Sequence, residues 1–311
     1  MATPSLADLQ TGSKVSLAAA FAAVEVDTHS EETLALLTQT WGSARAQVIG
    51  VTGPPGVGKS TLIGRLIKAY RSDHKTVGVI AVDPSSRLSG GALLGDRTRI
   101  ETDPEDEAVF IRSMAARDQL GGLAFLTRAG ITLMRAVFDI VIVETVGVGQ
   151  SETDIADYAD TIVFCVQPGS GDALQFMKAG IAEVPHIAVV TKSDLGKSAS
   201  KAQTDVAGAL SLASDESDGW VVPVLMTSSQ SDESIRSLMN RIEDHWQWLA
   251  QGDRLNQRRR MQAQHWVRRA ILDRFGREGV RQAGAGLTLK PGESPFEREL
   301  ILEKALNRTA N

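Results

Sequence analysis

The chain has 311 residues, 42% of them hydrophobic, and a formal net charge of −5. That is material for a large core, and the acidic balance excludes the electrostatic footprint expected of a nucleic-acid-binding protein. The one cysteine, Cys165, excludes an internal disulfide, and no uninterrupted apolar run reaches membrane-spanning length.

Residues 1–45 open without a cationic segment leading into an apolar stretch, which predicts a cytoplasmic protein with no membrane contact. Apolar positions at Leu17, Phe21, Val24, Leu34, Leu37 and Trp41 predict two short helices packed on a core. Thr28 and Glu31 have the spacing of a capping box.

From Ala46 to Thr52 runs an apolar, β-rich segment, followed by Gly53, Pro54, Pro55, Gly56, Val57, Gly58, Lys59, Ser60 and Thr61. This stretch fills every fixed position of G-x-x-x-x-G-K-[ST], and Leu62, Ile63, Leu66 and Ile67 then repeat at helical spacing. A glycine loop between strand and helix gathers backbone N–H groups into one concavity, to which the helix dipole adds positive potential. Lys59 is expected to reach the outer phosphates of a nucleoside triphosphate and Ser60 to hold magnesium.

Further apolar runs at Val77–Val82, Val109–Ile111, Ile140–Val143, Ile162–Val166, Ile187–Val190 and Val221–Leu225 alternate with helix-compatible stretches. The pattern predicts an α/β fold with a doubly wound, mostly parallel sheet, in which ligands bind beyond the carboxyl ends of the strands. Asp83 and Glu144 each close a strand, so both are candidate magnesium ligands beside the phosphate loop. Asp96, in the loop Gly90–Arg97, is a third carboxylate whose local pattern gives no role. Gly147, just after Glu144, stands where a backbone N–H would sense a γ-phosphate, and its glycine neighbours permit rearrangement.

Thr191-Lys-Ser-Asp194 follows the run Ile187–Val190 and resembles the guanine-recognition motif of GTP-binding proteins. The carboxylate of Asp194 can accept from both the ring N–H and the exocyclic amine of guanine, a donor pair that adenine lacks. Lys192 is expected along the base plane. Thr191 stands where asparagine is commoner, keeping a hydroxyl and losing an amide. Thr227, Ser228 and Ser229, after the last apolar run, resemble the loop whose backbone meets the guanine carbonyl.

From about Ser231 the chain reads as helical, with Trp246, Trp248 and Trp266 as core or contact residues and Arg258–Arg260 as a solvated face, with a partner contact as the alternative. Gly284, Gly286, Pro291 and Gly292 interrupt this pattern before a last helix near Pro295–Leu306. The expected organisation is a helical extension over 1–45, a phosphate-loop core over 46–230, and a helical extension over 231–311.

Taken together, Gly53–Thr61, Val82–Ser86, Gly90–Arg99, Glu144–Glu152 and Pro168–Gln175 resemble the MeaB/ArgK/MMAA family of P-loop GTPases, over nearly the whole chain. That family consists of chaperones for adenosylcobalamin-dependent acyl-CoA mutases. The resemblance implies a magnesium-dependent GTPase in which Asp96 joins Ser60, Asp83 and Glu144 at the metal, with switch segments at about 83–100 and 144–154. It also implies a further switch in Gly169–Lys178, where partner binding would bring Asp172 or Lys178 toward the phosphates. A lysine at that helical position ordinarily faces solvent. The implied partner is a mutase that itself carries the adenosylcobalamin: methylmalonyl-CoA mutase, or an isobutyryl-CoA or 2-hydroxyisobutyryl-CoA mutase. A homodimer through the C-terminal helices is a further implication. Competing readings are a phosphate-loop kinase, a metallochaperone GTPase and a nonhydrolysing binding module.

Overall fold

Among the described residues seven strands form one sheet: β1 (Gln47–Thr52), β2 (Val77–Pro84), β3 (Val109–Ala116), β4 (Ile140–Glu144), β5 (Thr161–Val166), β6 (Ile187–Val190) and β7 (Val224–Met226). The computed structural model describes residues 3–84, 100, 102–103, 105–116, 122–145, 155–169, 185–213 and 219–309. The strand order is β3-β2-β4-β1-β5-β6-β7, and every pairing is parallel. Parallel neighbours need crossovers, and helices supply them: α4 (Lys59–Ser72), α5 (Gly122–Val137) and α6 (Lys197–Ala213). The sequence expected the last strand over Val221–Leu225, but the paired segment is Val224–Met226 and Val221 is 88% exposed. An apolar run at a sheet edge has only one neighbour to fix its register.

Alternation along the strands divides the core into two layers. Val48, Val141, Val143 and Ile162 point to the side covered by α5 and by three N-terminal helices, α1 (Leu6–Gln10), α2 (Lys14–Val26) and α3 (Glu31–Gly42). Ile49, Val51, Ile142 and Val163 point to the side covered by α4 and α7 (Asp232–Ala250). Buried strands of this kind read as continuous apolar runs because both faces are covered. Where two N-terminal helices were expected there are three. The predicted apolar positions Leu17, Phe21, Val24, Leu34 and Leu37 are all buried. The cap of α3 is Ser30, whose hydroxyl accepts from the Thr33 N–H, rather than Thr28, whose hydroxyl meets His29.

The C-terminal helices α8 (Arg254–Ala283) and α9 (Pro295–Thr309) pack on each other and on Trp41 of α3. Gly276 interrupts the helical backbone of α8 with φ +66°. Arg258 and Arg259 depart from the expected solvated face. Arg258 donates to the Ala159 carbonyl, and Arg259 forms a two-point ion pair with Asp160, which is 1% exposed. Asp160 also accepts from the Val48 N–H, so this pair anchors α8 to the amino end of β1. Among the described residues no helix is long and apolar enough to cross a membrane.

Candidate functional site

Because every strand runs the same way, the carboxyl ends of β1, β2, β4, β5, β6 and β7 lie along one edge of the sheet. The phosphate loop leaves β1 with three glycines at positive φ: Gly53 at +139°, Gly56 at +75° and Gly58 at +100°. At Gly53 the reason is close approach as well, since a Cβ there would lie 2.2 Å from the Cys165 carbonyl oxygen. Gly58 precedes α4 without a side-chain cap, so the first N–H groups of that helix open toward the loop's concavity. Lys59, 7% exposed, donates to the carbonyls of Gly53 (2.8 Å) and Pro54 (3.2 Å), which folds its ammonium back over the loop. Pro55, Gly56 and Thr61 are exposed, whereas Pro54 and Val57 are buried.

On the neighbouring strand, Glu144 closes β4 and is 7% exposed. The Ser60 hydroxyl donates to its Oε1 at 2.9 Å. A hydroxyl and a carboxylate side by side are hard oxygen donors of the kind magnesium takes when most of its shell is phosphate and water. Among the described residues no group of three or more His, Cys, Asp or Glu could hold a metal ion by itself. Asp83 lies two positions past Ala81, the register partner of Glu144, so its backbone reaches the same sheet edge. Thr52, the last residue of β1, and Thr145, just past β4, join hydroxyls at 2.9 Å.

The base-reading candidates are tied to the phosphate loop. The Thr191 hydroxyl, 6% exposed, donates to the carbonyl of Val57 at 2.7 Å and lies 3.0 Å from that of Val166. Here the residue that lacks the commoner amide uses its hydroxyl to lock the two loops together. Lys192 adopts a left-handed backbone, φ +54°, and donates from Nζ to the Gly56 carbonyl (3.1 Å) and to Gln167 Oε1 (2.6 Å). Asp194 is exposed, with one oxygen, Oδ1, accepting from the Ser228 hydroxyl at 2.9 Å. Ser228 in turn donates its backbone N–H to Ser234 Oγ of α7. Thr227 is buried and its hydroxyl has no hydrogen-bond partner, while Ser229 is exposed.

Cys165 behaves as a core residue: it is fully buried, and desolvation pushes its thiol up to about 12. Gln167 and Ser234 escaped the sequence reading. Gln167 had one available signal, its position immediately past β5 at the ligand-binding edge. Asp96, Gly147, Asp172 and Lys178 lie outside the described residues, as do Gly90–Arg97 and the segment 170–184.

Comparison with known proteins identifies the relatives of this arrangement. A family model described as methylmalonyl Co-A mutase-associated GTPase MeaB matches residues 17–282. A protein of Pyrococcus horikoshii named as a GTPase is 40% identical over 270 residues, spanning 86% of this chain and 81% of that one. The mitochondrial methylmalonic aciduria type A homolog of Mus musculus is 37% identical over 73% of this chain and 56% of its own length. Among solved structures, one titled LAO/AO transport system kinase superposes with a TM-score of 0.67 at 27% identity, covering 97% of this chain and 96% of that one.

Proposed function

The chain belongs to the methylmalonyl-CoA mutase-associated GTPase MeaB family, and on that premise we propose that it is a GTP-driven chaperone of a cytoplasmic adenosylcobalamin-dependent acyl-CoA mutase. It hydrolyses GTP to GDP and phosphate. The output of each turnover is conformational: nucleotide state times the loading, protection or reactivation of the cofactor held by the mutase. The client class rests on the family; methylmalonyl-CoA mutase is the first candidate, with isobutyryl-CoA and 2-hydroxyisobutyryl-CoA mutases as relatives of the same chemistry.

In this reading the nine residues Gly53–Thr61 hold the phosphates. Lys59 exchanges the carbonyls of Gly53 and Pro54 for the outer phosphate oxygens when nucleotide enters. Ser60, Asp83, Asp96 and Glu144 would hold magnesium, which would supply positive charge to offset that of the phosphates. The Ser60–Glu144 hydrogen bond supports the assignment, because it keeps the two donors together before any ion arrives. A water attacks the γ-phosphorus in line, and the electron pair of the breaking bond passes to the β-phosphate oxygen of GDP. Lys59 and the loop N–H groups stabilise that charge by position, without covalent chemistry. Gly147, Asp172 and Lys178 are proposed as the parts that answer to the γ-phosphate and to the partner, and the helices of 231–311 as a homodimer contact.

The observation that best supports guanine as the base is the pair of ties from Thr191 and Lys192 to the phosphate loop. They make one unit of base reading and phosphate holding, with the Asp194 carboxylate presented at its rim. The test is GTP turnover with and without each purified mutase. Stimulation by one mutase is expected. Unchanged turnover with all three would sink the chaperone reading, and phosphate recovered on an acceptor instead of in solution would favour a kinase.

A further inference from the structure

At the other edge of the sheet, beneath the amino ends of β1 and β4, lies a cavity of about 400 Å³ that the nucleotide chemistry does not use. The volume falls in the range of about 300–1,000 Å³ usual for small-ligand sites. Its walls come from the end of α3, the end of α5, the first turns of α8 and the loop over 289–293.

The floor is Arg135. This guanidinium is 3% exposed, its Nε has no hydrogen-bond partner, and its one aromatic contact is the ring of Trp41 at 5.4 Å. A buried cation without hydrogen-bond partners is costly, and native proteins ordinarily supply one. Burial and the adjacent Arg259 lower its pKa to about 9, with Asp160 acting in the opposite direction. The nearby anions are bonded to other arginines. Arg259 has already engaged Asp160, and Glu293 is engaged by Arg298. Of the two lining carboxylates, Glu293 also accepts from the Lys290 backbone N–H and Asp253 accepts from the Asn256 side-chain amide, so four lining cations, Arg135, Arg259, Arg260 and Lys290, outnumber them. Trp41 and Leu289 add apolar wall.

We propose that this cavity is a binding site for a small organic anion, whose phosphate or carboxylate group is held between Arg135, Arg260 and Lys290. Guanidinium forks suit either group, because both present two oxygens to paired N–H donors. The bound anion bridges α5, α8 and the loop after α8, so it fastens the C-terminal helices to the sheet. The site is separate from the phosphate loop, which lies past the opposite ends of the same strands.

The test uses the full chain saturated with GDP and magnesium, so that the phosphate loop is filled, titrated calorimetrically with inorganic phosphate and separately with citrate. Saturable binding of at least one probe is expected, with slower amide exchange over 253–263 and 289–293. Phosphate binding tighter than citrate identifies a phosphorylated ligand, and the reverse order a carboxylate. Arg260→Ala with Lys290→Ala should weaken that binding at least tenfold and leave GDP affinity unchanged. Arg135→Gln should abolish it, but because that change can unfold the chain the two outer positions decide the matter. Binding of neither probe, or equal affinity in wild type and the Arg260→Ala/Lys290→Ala variant, would overturn the proposal.

Discussion

Replacing Asp194 by asparagine isolates the base-recognition step. The side chain is exposed and its neighbours contribute one hydrogen bond, from the Ser228 hydroxyl to Oδ1 at 2.9 Å. The asparagine carbonyl can accept that same bond, so the fold should be indifferent to the change, within about 0.5 kcal/mol for a surface position. Guanine is another matter. In the proposed site its ring N–H and exocyclic amine both donate to the carboxylate, and hydrogen bonds to a charged group contribute about 1.5–3 kcal/mol each. Asparagine keeps one acceptor and turns its NH₂ donors toward a donor. Solvent access argues for the lower end, so a loss of about 3 kcal/mol is expected, roughly a hundredfold in affinity. Xanthine places a carbonyl where guanine has the amine, which the asparagine NH₂ can meet. Competition of GDP and XDP against a fluorescent nucleotide should therefore show GDP weakened and XDP strengthened, with the denaturation midpoint unchanged. Undiminished GDP preference in a folded variant would remove Asp194 from base recognition and with it the argument from Thr191 and Lys192.

Glu144→Gln keeps an acceptor for Ser60 but removes the charge, so turnover should fall on the order of a hundredfold and require more magnesium; steady-state rates across a magnesium titration check this. Gly53→Ala forces a side chain into φ +139° and to within 2.2 Å of a carbonyl oxygen, and a loss of about 2–5 kcal/mol is expected in urea unfolding. Gly56→Ala, at φ +75° with nothing within 4 Å, should cost only about 1–2 kcal/mol, so equal effects at the two glycines would contradict the close-approach argument. Arg259→Met strands the buried Asp160 carboxylate and should destabilise by about 3–5 kcal/mol. Acid should weaken the fold through His245 and His186. Burial is the main cause holding His245 down to about 3 from 6.5 and lowering His186 as well. The unfolded chain takes up protons on both below about 6.5 while the native state does not, so stability falls with pH across that window. The slope is about 1.4 kcal/mol per unit for each histidine. His245→Gln should flatten the curve, and a pH-independent midpoint between 6.5 and 4 would refute the assignment.

What could be read from the chain alone was chemistry confined to short windows. Nine consecutive residues carry the phosphate loop, Asp83 and Glu144 stand out where a carboxylate ends an apolar run, and Asp194 is marked by the four-residue motif Thr191–Asp194. Boundaries with weaker physical anchors slipped. Val221–Pro223 are apolar enough for a strand but lack a second sheet neighbour, and Ser30 outcompetes Thr28 as a cap because it directly precedes the first helical residue. Arginines misled most. Arg258–Arg260 read as surface because charged triplets usually are, and nothing nearby in sequence signals Asp160, 99 residues away.

The site itself depends on that same long-range order. Ser60 and Glu144 are 84 residues apart, and they meet because β4, rather than β2, is inserted beside β1. Thr191 reaches Val57 across 134 residues because β6 lies one strand beyond β5 on the other side. Sheet order therefore brings scattered strand-end residues together beside the phosphate loop. The same packing brings Arg135, Arg260 and Lys290, from three separate segments, around one cavity below it. A motif can reveal the first arrangement, since a phosphate demands a fixed local geometry. The second has no local geometry to conserve, and the unpartnered Nε of Arg135, visible once the helices are packed, is what points to the proposed anion site.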